Sequence, residues 1–373
     1  MKKIHLLGIA LIGVIGVILA VGLSFQQNFI TSDISVQNNN LGLVINPPSS
    51  QYTLQEIDQL YQDASTLGVG RTNLYMFWNS IEPQDNNYNF KNSDIQLSLI
   101  KKYNMTATLY FSIINGRALG PFPDWIGDPS IREIPKDKLV DVLDKILSRY
   151  AGYIDTVIIA GNTDVHFSNR EHLIDDYANL YPFIFEKLKL QHPDVKFGNA
   201  FSLNEIIIKK QQHIINKLNQ GDFVAFTYFP TDLLYEISKT PLEARVDLDL
   251  TLKLVTNKPI ILFESSWSTS DFISGTQKDQ HEFLIQFFEF YRENKEKIEH
   301  ITWFRQYDKS SDVCNVDLSF FNSSHSGSIN SSIAGNEFVL ERLNHYICNS
   351  GLLTTTNEKK LAWNEFAKQV DLT

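Results

Sequence analysis

The sequence predicts a single closed parallel (β/α)8 barrel, a TIM barrel of the α/β class, preceded by an N-terminal membrane anchor. Three observations predict it. Eight short apolar runs alternate with longer amphipathic stretches from Leu41 onward, no composition break divides residues 40–373, and residues 1–23 differ from everything after them. Strands separated by helical patterns form parallel sheets, and eight such units close into a barrel. A doubly wound open sheet is the competing arrangement, but no glycine-rich phosphate turn follows the first strand.

Lys2 and Lys3 precede an apolar run from Leu6 to Leu23 that is interrupted only by glycines. As a helix that run rises about 27 Å, enough to cross the hydrocarbon core of a bilayer. The lysines then stay inside and the body is exported, which predicts a single-pass cell-membrane protein with an extracellular barrel. Cleavage after Ala20-Val21-Gly22 would make the same body secreted. Residues 24–39 are polar and rich in Asn and Gln, and read as a stalk before the barrel domain at 40–373. Cys314 and Cys348 are the only cysteines and lie beyond the anchor, where oxidation is permitted, so a disulfide between them is expected. Asn104, Asn322 and Asn330 open glycosylation patterns, a weak signal in itself.

The strands follow in order. Leu41–Ile45 leads into the helical pattern Leu54–Thr66, Arg71–Phe77 into Ser93–Lys102, and Thr106–Phe111 into Lys136–Tyr150. Thr156–Ile159 precedes Arg170–Leu190, and Lys196–Ala200 precedes Glu205–Leu218. Phe223–Tyr228, Pro259–Phe263 and His300–Phe304 complete the set, with a helical pattern over Asp279–Lys297 between the last two. Short apolar runs bounded by polar turns suit strands buried on both faces, as in an all-parallel sheet. The Ser/Asn/Gly-rich stretch Ser319–Asn336 reads as a long loop after the last strand.

Composition removes several function classes. A net charge of −10 argues against general nucleic-acid binding, which needs cations to displace phosphate counterions. The nine histidines and two cysteines show no metal-ligand spacing, and no nucleophile elbow or phosphate loop occurs, so neither a metal nor a cofactor is expected. Chemistry in such barrels sits at the carboxyl ends of the strands. Those ends carry aromatic, amide, cationic and carboxylate residues, among them Trp78, Tyr110, Asn162, Tyr228, Glu264, Trp267 and Trp303. Aromatic faces stack on the C–H surfaces of sugar rings while polar groups bind hydroxyls, so the expected partner is a carbohydrate.

Three segments together resemble the retaining glycoside hydrolases whose catalytic glutamates follow strands four and seven, a clan with endo-β-galactanase-like and cellulase-like branches. They are Arg71 to Trp78 with Ile81-Glu82-Pro83, Tyr88 and Phe90; Lys258 to Trp267; and Gly351-Leu352 with Lys360 to Trp363 and Phe366. The resemblance spans about residues 41–370. It implies a nucleophile at Glu264, because a carboxylate can attack the anomeric carbon and leave again. It also implies Asn162 as the ligand of the sugar 2-hydroxyl and Tyr228 as a hydrogen-bond partner of the nucleophile. Arg71 would be the cation that favours its ionised form, and Trp303 the floor of the sugar site.

The chain departs from that pattern where the proton donor belongs. Gly161-Asn162-Thr163-Asp164 puts Thr163 at the acid/base position, and a hydroxyl cannot cycle a proton near neutral pH. Three readings follow: Asp164 supplies the proton from one residue later; Glu205 or Glu82 enters the cleft instead; or the barrel binds sugar and is catalytically impaired. Asn204-Glu205 mimics the missing pair one strand too late, where an acidic residue also suits a helix start.

Overall fold

The computed structural model describes residues 37–310, 313–314 and 337–373. Eight parallel strands form the barrel: β1 (Asn38–Leu43), β2 (Val69–Tyr75), β3 (Thr106–Asn115), β5 (Ile154–Gly161), β6 (Lys196–Ser202), β7 (Phe223–Tyr228), β8 (Ile260–Ser265) and β9 (Ile298–Trp303). The two-residue strand β4 (Ala118–Leu119) folds back antiparallel on the end of β3. Pairing of β1 with both β2 and β9, together with β2 on β3, closes the ring. All eight predicted strands are present, with ends shifted by a few residues.

Helices α1 (Leu54–Thr66), α2 (Trp78–Ile81), α3 (Lys91–Lys102), α4 (Lys136–Arg149), α5 (Thr163–Phe167) and α6 (Ile174–Gln191) belong to the first half. The second half adds α7 (Leu203–Lys209), α8 (Gln212–Leu218), α9 (Pro241–Leu254), α10 (Gln277–Glu293), α11 (Glu337–Cys348) and α12 (Leu361–Asp371). Reciprocal capping explains sharp starts: Thr53 and Glu56 satisfy each other's backbone N–H groups at α1, as do Thr240 and Glu243 at α9. The single helix expected over Glu205–Leu218 is broken, because Lys210 adopts a left-handed φ of 55° and ends α7.

Apolar residues fill two shells. Ile158, Ala200, Phe223, Ala225, Ile261 and Phe263 pack inside the barrel, and a larger cluster lies between strands and helices. At the amino ends of the strands, Arg71 forms a two-pronged ion pair with Asp155 at 2.6 and 2.7 Å and donates to Thr108 and the Asn39 carbonyl. The Arg71 side chain is 5% exposed and that of Asp155 39%. Removing Asp155 therefore strands a buried charge, while removing Arg71 leaves a carboxylate that water can reach. We expect Asp155→Ala to cost about 3 kcal/mol and Arg71→Met about 1–2 kcal/mol in urea unfolding. The reverse order would refute this assignment.

The membrane anchor is corrected. Among the described residues no helix is long and apolar enough to cross a membrane. Residues 1–36 lie outside the described residues, and the described fold is the barrel. The membrane partner and the single-pass, extracellular placement go with the anchor. The loop expected at 319–336 also lies outside the described residues. The disulfide is present: Cys314 and Cys348 are joined, with their Cα atoms 5.6 Å apart.

Candidate active site

A cavity of about 350 Å³ opens at the carboxyl ends of the strands, and both Glu264 and Glu205 line it. The sequence delivers Glu264 there through an irregularity. Strand β8 pairs Leu262 with Phe226 but Glu264 with Thr227, so one extra residue is accommodated on β8. Such a bulge re-aims the following side chain. Phe263 already faces the barrel interior, and strict alternation would have turned Glu264 outward. The bulge brings it instead to the side of Thr227, in the cavity wall.

Behind Glu264, the Tyr75 hydroxyl donates to its Oε1, and Asn73 donates to the Phe263 carbonyl at 3.2 Å. Burial pushes the Glu264 carboxyl up to about 7, opposed by the Tyr75 hydrogen bond and the positive charge of Arg305. Arg305 is 6% exposed, and burial brings its guanidinium down to about 10. The cation beside Glu264 is thus Arg305, from the end of β9, and not Arg71. Arg71 sits too early in β2 and is committed to Asp155 at the far end of the barrel.

Asn162 lines the cavity. It takes a left-handed φ of 48° as the residue before α5, and its Oδ1 accepts from Thr227 Oγ1 at 2.6 Å in the cavity wall. The two residues after it turn away. Thr163 is fully buried and donates to the Ala200 carbonyl at 2.9 Å. Asp164 is also fully buried, its Oδ1 accepting the Ser202 N–H at 2.7 Å, and it does not line the cavity. Burial raises its carboxyl to about 7, with the Ser202 bond opposing and the charge of Glu205 adding.

Glu205 lies in the first turn of α7, where the Ser202 hydroxyl accepts its N–H, and its carboxylate pairs with Lys209 one turn on. Glu82 is fully buried and holds a turn, accepting from Trp78 Nε1 at 2.9 Å and the Asn86 N–H at 2.9 Å. Of the carboxylates considered, Glu264 and Glu205 share the cavity; Asp164 and Glu82 serve the framework.

The aromatic expectations are displaced in a regular way. Tyr228 donates to Asp247 at 2.7 Å on the helix side, and Trp303 and Trp267 pack on Phe283 of α10. Trp78 packs edge-on against Phe122 and Trp125, away from the cavity. The cavity is lined by their neighbours Phe229 and Phe304. Tyr110 lies below the floor, stacked on Phe263 with centroids 5.5 Å apart and donating to Asn115 at 2.7 Å. Gly161 is required there, because a Cβ would sit 2.0 Å from the Tyr110 hydroxyl. Sequence reading also missed the apolar roof, Leu340, Leu343 and Ile347 of α11, a helix whose end the disulfide fixes.

No protein-family model matches the sequence, and no curated protein does. Solved structures match in fold. A GH5_18 variant from Bifidobacterium longum subsp. longum, in complex with Manb1-4GlcNAc, superposes with a TM-score of 0.66 at 11% identity, over 90% of this chain and 78% of that one. A family 39 glycoside hydrolase from Bacteroides cellulosilyticus gives 0.59 at 12% identity, over 90% of this chain and 64% of that one. Xylanase 10B from Thermotoga maritima gives 0.56 at 14% identity, over 89% of this chain and 94% of that one. The fold is therefore that of glycoside-hydrolase (β/α)8 barrels.

Proposed function

We propose that this chain hydrolyses a glycosidic bond in an oligo- or polysaccharide, with Glu264 as nucleophile and Glu205 as acid/base. The observation that carries this reading is the presence of both carboxylates in one cavity with Asn162. A Glu264 oxygen bonds to the anomeric carbon as the bond to the leaving oxygen breaks, and the Glu205 proton passes to that oxygen. Water then attacks the same carbon, giving its proton to Glu205 and releasing Glu264. Tyr75 occupies one carboxylate oxygen and leaves the other to attack. Arg305 supplies the positive charge that favours the ionised state. Asn162, held by Thr227, stands where an amide can bind a hydroxyl of the bound ring.

The reading is supported by the fold's likeness to a xylanase and an exo-beta-1,4-mannosidase. Thr163, turned into the backbone, favours the impaired binding barrel as the second reading. Aryl glycosides with good and poor leaving groups separate the two. We expect turnover on both, with the first product released in the anomeric configuration of the substrate, followed by proton NMR. Saturable sugar binding with no turnover would replace hydrolysis by binding, and the opposite anomer would remove Glu264 as nucleophile.

A further inference from the structure

Resting on the carbohydrate reading, we propose that the cavity is built for a sugar bearing an anionic substituent, a carboxylate as in a hexuronic acid or a sulfate, gripped by Arg117 and Tyr235. Arg117 lines the cavity and is half-buried. Among the described residues it forms no ion pair and its side chain donates no hydrogen bond. A half-buried guanidinium with no counter-ion is suited to hold a planar anion with two parallel hydrogen bonds.

Its placement is rigid. Gly116 and Arg117 form the two-residue turn between β3 and β4, closed by the pairing of Asn115 with Ala118. Gly116 supplies the positive φ of 56° that a tight hairpin needs at its first central position. The turn is anchored twice, by the Gly116 N–H on the Gly161 carbonyl at 3.0 Å and by Arg170 on the Arg117 carbonyl at 3.2 Å. Arg117 is thus presented on fixed backbone, the condition under which binding loses least to ordering.

Tyr235 supplies a second donor to the same wall. It lines the cavity and its hydroxyl donates no hydrogen bond to the described residues. Its backbone is held at φ 61°, a conformation that bulky residues seldom adopt and that clusters at ligand sites. Asp232 fixes that turn by accepting from the N–H groups of Leu234 and Glu236 at 2.8 and 2.9 Å. Burial lifts the Tyr235 phenol to about 12, aided by the charge of Glu205 and opposed by that of Arg117, so it remains a donor at neutral pH. Of the carboxyl groups that line the cavity beside it, Glu205 is paired with Lys209, Glu264 accepts from Tyr75, and Asp232 is taken up by the Leu234 and Glu236 N–H groups.

The test is titration calorimetry of the full chain with paired probes of one linkage, hexuronate against hexose oligosaccharides and sulfated against unsulfated ones, at low and high salt. We expect at least one acidic class to bind about tenfold or more tightly than its neutral partner, with the gap narrowing as salt rises. Arg117→Gln should remove that gap and change neutral binding by less than about threefold; Tyr235→Phe should narrow it. A larger loss on hexuronates or on sulfated sugars identifies which anion is held. Neutral sugars bound as well as acidic ones, or Arg117→Gln weakening both equally, overturns the proposal and leaves hydrolysis standing. Binding of neither class overturns both.

Discussion

Glu264→Gln should reduce glycoside turnover by about 10⁴-fold or more, because the amide neither attacks the anomeric carbon nor leaves it. The wild-type pH profile should carry the same signature. Glu264 attacks only when ionised and its carboxyl is pushed up to about 7, so kcat/KM should fall as pH drops through about 7. Folding stability moves the other way. The folded carboxyl binds its proton more tightly than the unfolded one, whose value is near 4.5. The native state therefore loses stability as pH rises from about 4.5 to about 7. Glutamine has no proton to lose, so the variant should unfold at higher urea than wild type at pH 8 and match it more closely at pH 4. Retention of more than about a tenth of the turnover would remove Glu264 from the chemistry. Lost turnover without the pH-dependent gain in stability would count against a buried carboxyl.

The eight strands were legible because each is a short apolar run set between amphipathic helices, and Leu54–Thr66 matches helix α1 residue for residue. Which face each strand residue takes was not. Parallel barrel strands are buried on both sides, so apolar alternation carries no phase. Tyr228 and Trp303 were therefore placed in the site while Phe229 and Phe304, one residue later, line the cavity. The bulge that turns Glu264 inward leaves no mark in the sequence, since Phe263-Glu264 reads equally well as ordinary alternation. Arg71 and Arg305 illustrate another limit. Both are arginines near strand ends, and only closure of the ring decides that β9 delivers its arginine beside β8, whereas Arg71 falls at the opposite rim. The roof helix α11 packs over the cavity through contacts far apart along the chain, beyond the reach of any local pattern. Glu205 was visible as an Asn-Glu pair, but its competing use as a helix-start residue is also realised, so only its presence in the cavity distinguishes the two roles.

Two substitutions divide the proton-donor question, and their effects should differ by orders of magnitude. Glu205→Gln should lower turnover of substrates with poor leaving groups by about 10²–10⁴-fold and spare good leaving groups much more, since only the former need the proton. Asp164→Asn should change turnover by no more than a few-fold. Its Oδ1 still accepts from the Ser202 N–H, and the Asp164 side chain itself does not line the cavity. Its effect should appear in stability instead. Asp164 is fully buried with its carboxyl raised to about 7 against an ordinary value of 3.8, so the folded state holds the proton that the unfolded chain releases. Ionisation thus costs stability progressively from about pH 4 to pH 7, and at pH 8 Asp164→Asn should relieve a few kcal/mol that it does not relieve at pH 4. Urea unfolding at the two pH values, beside turnover on both substrate classes, checks the pair. If Asp164→Asn abolished turnover on poor leaving groups while Glu205→Gln did not, the proton would travel through the buried aspartate, and the cavity would have to rearrange around α5 to admit it.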